Sequence, residues 1–164
     1  MKTIYVLVVL LFLAGRRAEA QWSGVDTGTS TSLRGVYLLD SGVGYSVGDS
    51  GTILKSTDAG MTWNALTSGT TKALYDLYFF NDTEGVTVGD GGLILRTTDG
   101  GGNWATVASG VRDGLRSVSF SGANGICGGL SQDIVYTTDS GASWHVSQKG
   151  LFGGGFFGAQ MLSP

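Results

Sequence analysis

Three aspartates recur along the chain, each inside an octet of the same type. An aspartate beside hydroxyl residues could act as a general base or contribute to a calcium site. It could also accept hydrogen bonds from the backbone N–H groups of a tight turn in which a neighbouring glycine adopts positive φ. The octets are "STDAGMTW" at 56–63, "TTDGGGNW" at 97–104 and "TTDSGASW" at 137–144.

The similarity of the three copies favours the structural interpretation. A catalytic carboxylate would differ from its sisters and converge with other ionisable groups, whereas these copies are nearly equivalent and evenly spaced. We therefore predict that each aspartate bonds within its own turn and that each final tryptophan buries its ring in a seam between repeats. The residues with this predicted structural role are Ser56, Asp58, Gly60, Trp63, Thr97, Asp99, Gly101, Trp104, Thr137, Asp139, Gly141 and Trp144.

A second pair of acids, Asp49 in "VGDSG" and Asp90 in "VGDGG", could be imagined as calcium ligands. Calcium needs six to eight oxygens, usually from several closely spaced carboxylates. The third repeat has Leu130 at this position. We predict a turn between two strands here, and no metal site.

The other residues capable of chemistry stand alone in the sequence. His145 is the single histidine and lies on a predicted strand, where an exposed imidazole is expected. Cys127 is the single cysteine, which excludes an intramolecular disulfide and a cysteine-based metal site. It occupies the position of Ser46 and Thr87 in the sister repeats, so it is expected to pack within a strand. Glu84 lies in a loop. We expect no catalytic residue, metal or cofactor.

Two features concern the surface. Lys55 and Arg96 share one repeat position, and Arg34 and Arg116 share another, so they form either a weak basic stripe or separate solvated charges. Asn81 begins an Asn-Asp-Thr glycosylation sequon in a predicted exposed loop, which matters if a eukaryote secretes the protein.

The tryptophans set the length of the repeat, because Trp22, Trp63, Trp104 and Trp144 are spaced 41, 41 and 40 residues apart. Apolar residues alternate within each unit, and glycine-rich turns interrupt them, which predicts four short strands per unit. Such a period is typical of a β-propeller blade, so the fold class is all-β. The units span about 33–70, 74–111 and 115–150, and the strands predicted for the second unit are 74–79, 85–89, 93–97 and 103–108.

The two ends of the repeat region each resemble part of a blade. Residues 21–30 align with a fourth strand, and Phe156, Ala159 and Met161 have the spacing of a first strand. We expect three full antiparallel blades with partial strands at both ends, within a domain at 21–164 that belongs to a larger propeller. Either the gene or gene model is truncated, or the chain is an open array that pairs with other chains through its exposed edges.

Residues 1–20 have the pattern of a secretory signal peptide. Lys2 precedes an apolar run over residues 4–14, and the stretch ends in "AEA". The run is about half as long as a membrane-spanning helix requires. We predict cleavage before Gln21 and an extracytoplasmic location. The net charge of −3 argues against nucleic acid and anionic membranes as partners.

The octets match the Asp-box, or bacterial neuraminidase repeat, Ser/Thr-x-Asp-x-Gly-x-Thr-Trp. The longer stretches "GYSVGDSGTILKSTDAGMTW" at 44–63 and "GVTVGDGGLILRTTDGGGNW" at 85–104 resemble the repeat of the photosystem II stability/assembly factor family. This resemblance implies a propeller of about seven blades in the thylakoid lumen or another extracytoplasmic space. It also implies a protein without catalytic activity that binds a photosystem II reaction-centre subunit. No motif in this sequence identifies a binding residue of the family in this chain.

Two alternatives remain open at the level of the sequence. One is a secreted protein-interaction module unrelated to photosynthesis. The other is a fragment of an Asp-box glycoside hydrolase of the sialidase type, which needs convergent carboxylates and an arginine triad with a Tyr/Glu pair. Glu84 has no second glutamate near it in the sequence, and no Arg-Ile-Pro motif precedes the octets. We therefore expect a protein that is not an enzyme.

Overall fold

The computed structural model describes residues 3–8, 21–130, 133–148, 155 and 157–162. Regular structure in these ranges is almost entirely β. No helix in them is long and apolar enough to cross a membrane. The strands are β1 (Thr3–Val8), β2 (Gln21–Asp26), β3 (Leu33–Leu38), β4 (Gly44–Gly48), β5 (Ile53–Ser56), β6 (Asn64–Leu66), β7 (Leu74–Phe79), β8 (Gly85–Gly89), β9 (Ile94–Thr97), β10 (Ala105–Val107), β11 (Leu115–Ser121), β12 (Asn124–Gly129), β13 (Ile134–Thr137) and β14 (His145–Gln148).

Twelve of these strands form three antiparallel sheets of four strands, each a simple meander. We call β3–β6 the first blade, β7–β10 the middle blade and β11–β14 the third blade. The expected three full blades of a β-propeller are thus confirmed. In the middle blade the fourth strand is shorter than predicted, because Asn103 and Trp104 belong to the preceding turn, where Asn103 bonds to Asp99.

A β-bulge near the start of the first strand gives every blade the same local geometry. In the middle blade the register shifts between Leu74 and Asp76, and the sister blades shift at the matching points. Here the second strand ends close to the backbone that precedes the first strand. A Cβ atom added at Gly89 would overlap the carbonyl oxygen of Ala73, so the close approach requires glycine.

The "VGDSG" and "VGDGG" segments form short 3-10 turns between the second and third strands, at Asp49–Gly51 and Asp90–Gly92. The backbone N–H of Asp90 donates to the carbonyl of Ala73 at 2.9 Å, and the N–H of Asp49 donates to Ser32 in the same way. These segments therefore link the turn to the start of the same blade, as expected for structural residues.

The core lies between blades, because a single sheet cannot cover its own faces. At the first seam Tyr45 stacks on Phe79 of the next blade, with ring centroids 3.6 Å apart. At the second seam Phe120 packs against Tyr78 of the preceding blade, at 5.1 Å. The two buried clusters share no residue, so each seam is a separate hydrophobic core.

The two chain ends differ from the expected partial strands. β2, predicted as the fourth strand of a blade, pairs along its whole length with β1. The predicted cleavage before Gln21 would remove β1; the signal peptide stays a prediction.

At the other end, residues 157–162 run beside β11 without forming a strand, and Phe156 lies outside the described residues. The N–H groups of Ala159 and Met161 donate to the side-chain oxygens of Ser117 and Ser119, at 2.9 and 2.8 Å. The expected first strand is therefore corrected to an extended segment. Apart from the bridge between Leu130 and Gly155, no backbone ladder joins this end of the chain to another strand among the described residues.

Candidate functional site

The carboxylate of Asp58 is fully engaged within its own turn. The Ser56 hydroxyl and the Thr62 backbone N–H donate to Oδ1 at 2.8 Å, and the Thr62 hydroxyl donates to Oδ2 at 2.6 Å. The N–H of Gly60 in turn donates to the Ser56 hydroxyl at 2.9 Å. These donors, led by the Thr62 hydroxyl, lower the pKa of Asp58 to about 2.

The other two octets repeat this geometry. Asn103 replaces the hydroxyl residue of the motif but keeps the donor, because its amide nitrogen donates to Oδ2 of Asp99 at 2.7 Å. The pKa of Asp99 falls to about 2, mainly because of this bond. Ser143 donates to Asp139 at 2.6 Å, and its hydroxyl is the main cause of the lowered pKa of that carboxyl. A carboxylate with so low a pKa is a poor general base at neutral pH.

Two of the tryptophans that close the octets, Trp104 and Trp144, pack beside phenylalanines in the first strands of their own blades. Trp104 meets Phe79 edge to face at 6.1 Å between centroids, and Trp144 meets Phe120 in the same way at 5.8 Å. The indole N–H of Trp63 donates to the Gly60 carbonyl at 3.0 Å. The octet thus combines a closed turn with an aromatic side chain at the edge of the seam.

Lys55 and Arg96 connect consecutive blades. The Lys55 ammonium donates to the carbonyl of Gly100 at 2.9 Å, and Arg96 Nε donates to the carbonyl of Ser140 at 3.2 Å. Both acceptors lie in the octet turn of the next blade, just before its glycine. The Tyr45 hydroxyl donates to the same Gly100 carbonyl at 3.1 Å. These two cations are therefore seam contacts and do not form a basic stripe, and the shared repeat position was the only signal of this role in the sequence.

Arg34 and Arg116 belong to a row that the sequence did not reveal, since an aromatic residue stands between them. The Tyr75 ring lies 5.5 Å from the guanidinium carbon of Arg34 and 3.7 Å from that of Arg116. The three residues follow the leading leucine of β3, β7 and β11. We call Arg34, Tyr75 and Arg116 the arginine–tyrosine row. Cation–π attraction at these distances stabilises the row.

The two arginines of the row differ in charge balance. Arg34 pairs with Asp49, its Nη2 donating to Oδ2 at 3.0 Å, and this hydrogen bond is the main reason that the pKa of Arg34 is raised. The third repeat has Leu130 at the position of Asp49, so Arg116 lacks this acid. Its buried Nε has no hydrogen-bond acceptor among the described residues. One end of the row therefore carries a cation that has no acidic partner among the described residues.

The remaining sequence candidates do not join the row or one another. His145 is exposed and lies 5.4 Å from the Tyr136 ring. Cys127 is buried, and desolvation, followed by the charge of Asp76, raises the pKa of its thiol. Asn81 is exposed, and its side-chain oxygen accepts N–H bonds from its own loop. The described residues contain no cluster of three or more His, Cys, Asp or Glu that could hold a metal ion.

The model for the family "Photosynthesis system II assembly factor YCF48" matches residues 14–110 and 61–149. The chain belongs to this family. The resemblance predicted from the octets and their flanking segments is confirmed, and so is the propeller fold. No curated protein is matched by the sequence.

Solved structures show the same fold. A YCF48 bound to a D1 peptide is 24% identical, with a TM-score of 0.66, covering 74% of this chain and 42% of that one. YCF48 from Cyanidioschyzon merolae is also 24% identical, with a TM-score of 0.66, covering 77% and 40%. A Niastella koreensis GH74 enzyme is 14% identical, with a TM-score of 0.61, covering 77% and 24%. The chain thus spans less than half the length of the YCF48 structures.

Proposed function

We propose that this chain is an extracytoplasmic, non-catalytic scaffold that binds a photosystem II reaction-centre polypeptide. The observation that carries the proposal is the family match, which extends across all three blades. It is supported by a solved relative of the same fold, a YCF48 that holds a D1 peptide. The signal-like pattern of residues 1–20 supports export.

The surface that best fits such a partner is the arginine–tyrosine row. The Arg116 guanidinium forms no ion pair with an Asp or Glu among the described residues, so its positive charge suits a carboxylate, and the Tyr75 ring offers an apolar surface beside it. Asp49 neutralises Arg34 at the other end, so the row attracts a negative group mainly at Arg116. A peptide with an acidic residue or a free carboxylate next to an apolar side chain matches this arrangement.

The absence of catalysis is part of the same proposal. The octet carboxylates are each hydrogen-bonded within their own turn, which supports a structural role. The similarity to the GH74 enzyme, at 14% identity, concerns the fold and is not evidence that this chain has the activity of that enzyme. Measurable hydrolysis of a glucan or of a fluorogenic sialoside by the purified chain would contradict this part.

The binding part is tested by titrating the chain into a labelled D1 peptide and measuring fluorescence anisotropy, with a scrambled peptide of the same composition as reference. We expect saturable binding to the D1 peptide alone. Arg116→Gln should weaken it at least tenfold, whereas Arg112→Gln, at an exposed arginine outside the row, should leave it unchanged. Absence of saturable binding to D1 peptides would overturn the proposal. Equal binding by both variants would overturn the assignment of the surface.

Export is tested separately by expressing the tagged full chain in a photosynthetic host. We expect the mature protein to begin at Gln21 and to fractionate with a lumenal or periplasmic marker. An intact N-terminus in the cytosolic or stromal fraction would contradict an extracytoplasmic role.

A further inference from the structure

Each blade has a front face, which in the middle and third blades lies against the blade before it. Two apolar side chains of the first strand form the centre of this face. In the middle blade they are Leu77 and Phe79, only 3% and 1% exposed. The same positions in the first blade are Val36 and Leu38, which are 59% and 52% exposed. This surface is therefore uncovered in the first blade, whereas it is buried in the two sister blades.

Each blade also has a back face, which receives the next blade. At its outer part stands the residue before the octet, and in the first two blades this residue is Lys55 or Arg96, bonded to a carbonyl of the next octet turn. In the third blade the same position holds Tyr136, which is 40% exposed. Its hydroxyl is a hydrogen-bond donor of similar reach. The third blade therefore has a hydrogen-bond donor at the seam position. The described residues include no following blade that could supply an acceptor.

The backbone carbonyl that accepts from such a donor recurs at the same octet position in each blade. Lys55 and Arg96 bond to the carbonyls of Gly100 and Ser140, residues with positive φ of 71° and 57°. The matching residue of the first blade is Ala59, with a positive φ of 57°. Its N–H is held by Gly42 of the same blade, as those of its sisters are held in theirs. The front of the first blade is therefore built like the two fronts that already take part in seams.

We propose that the uncovered front of the first blade binds the back of the third blade in a second copy of this chain, head to tail. In this contact Val36 and Leu38 of one copy pack against the back of the third blade of the other. The Tyr136 hydroxyl donates to the Ala59 carbonyl across the new seam. The new seam repeats an interface that is present twice in the molecule, at the first and second seams.

Two copies joined in this way supply about six blades, within the four to eight that close a propeller ring. A head-to-tail contact gives a ring when the rotation closes and a filament when it does not. A discrete dimer is the expected product. This inference concerns the blade faces and does not depend on the proposed peptide binding.

Residues 157–162 control access to the back face. They run along β11, held by the Ser117 and Ser119 side chains, and Ala159 falls at the repeat position of Leu77. The segment thus occupies the place that β3 of the second copy would take. Association requires the segment to leave, so it acts as a competitor within the chain and weakens the dimer.

Analytical ultracentrifugation of the full chain over a range of concentrations tests this inference, with a variant that ends at residue 154. The full chain should form a concentration-dependent dimer, and removal of residues 155–164 should tighten it at least tenfold. Val36→Asp with Leu38→Asp should give a monomer. Tyr136→Phe should weaken the dimer about fivefold.

The matched control is Thr106→Asp with Ala108→Asp, which adds two carboxylates to exposed positions of the middle blade and should leave the dimer intact. Circular dichroism and tryptophan emission confirm that every variant is folded. A monomer at all concentrations for both the full and the shortened chain overturns the inference. Association that survives the Val36 and Leu38 substitutions also overturns it, because it would arise from another surface such as residues 1–20.

Discussion

The donors around each octet aspartate determine what that residue does. At Asp58 every strong donor comes from residues two to four positions away, so the carboxylate closes its turn and has no role at a distance. Thr62, Asn103 and Ser143 differ chemically at one motif position, yet each donates to the carboxylate twice, through backbone and side chain. The turn therefore selects for a donor at this position and not for a particular residue type.

The lowered pKa values of the octet carboxyls predict acid sensitivity. The pKa of Asp99 is about 2 in the folded chain and about 4 when unfolded, so the turn stabilises the fold fully above pH 4 and loses this contribution as the pH falls towards 2. Thermal unfolding followed by circular dichroism should show a Tm that drops across this window. Asp99→Asn should lower the Tm at pH 7 and flatten the drop, whereas Asp113→Asn, outside the octets, should change neither. A drop of unaltered size in Asp99→Asn would contradict this account.

Gly89 provides a test of the close approach at the end of β8. Gly89→Ala places a methyl group on the Ala73 carbonyl oxygen, and overlap with backbone cannot be relieved by a rotamer change. We expect a loss of about 2 to 3 kcal/mol in the free energy of unfolding, measured by urea denaturation. Gly102→Ala is the matched control and should be nearly neutral, since the sister turns carry Met61 and Ala142 at that position. Equal losses in both variants would mean that the overlap at Gly89 is not decisive.

At the scale of the elements, seams between blades provide the stability that no single sheet has. Each seam joins aromatic packing on the inside to a charged donor on the outside, as with Tyr45 and Lys55 at the first seam. The donor reaches a backbone carbonyl, so the contact does not depend on the side chain of the acceptor. Gly100, Ser140 and Ala59 can therefore fill equivalent acceptor positions.

Lys55→Met should weaken the first seam. The substitution keeps the alkyl chain and removes the donor to Gly100, leaving the carbonyl with the Tyr45 hydroxyl alone. Because Lys55 is only partly buried, we expect a loss of about 1 kcal/mol in urea denaturation. Lys72→Met, at an exposed lysine, should be neutral. If Lys55→Met proved as stable as Lys72→Met, the seam would rest on its apolar contacts alone.

The sequence predicted the elements well where a pattern recurs. The strands Leu74–Phe79 and Gly85–Gly89 were placed with their observed bounds, because alternation and glycine turns define them locally. The seam role of Lys55 and the arginine–tyrosine row were missed, since both join residues about one repeat or more apart. β2 was expected to serve as the fourth strand of a blade, and its pairing with β1 depends on a segment that the repeat does not include.

At the scale of the whole molecule, three blades in a row are not equivalent. The middle blade is covered on both faces, whereas the first blade has its front open at Val36 and Leu38. In arrays whose units contact only their neighbours, the stability of a unit depends on how many seams it shares. The middle blade should therefore open last.

Hydrogen exchange monitored by mass spectrometry tests this order in dilute, monomeric protein. Amides of β7 and β8 should exchange slowest, and those of β3 should exchange at least tenfold faster, although the two first strands make the same ladder with their second strands. Raising the protein concentration should slow exchange at β3 and leave β8 unchanged, because a second copy would cover the front of the first blade and the back of the third blade, and neither face of the middle blade. Protection of β3 equal to that of β7 in the monomer would show that the blades unfold as one unit. It would also show that the uncovered front face does not lower the stability of the first blade.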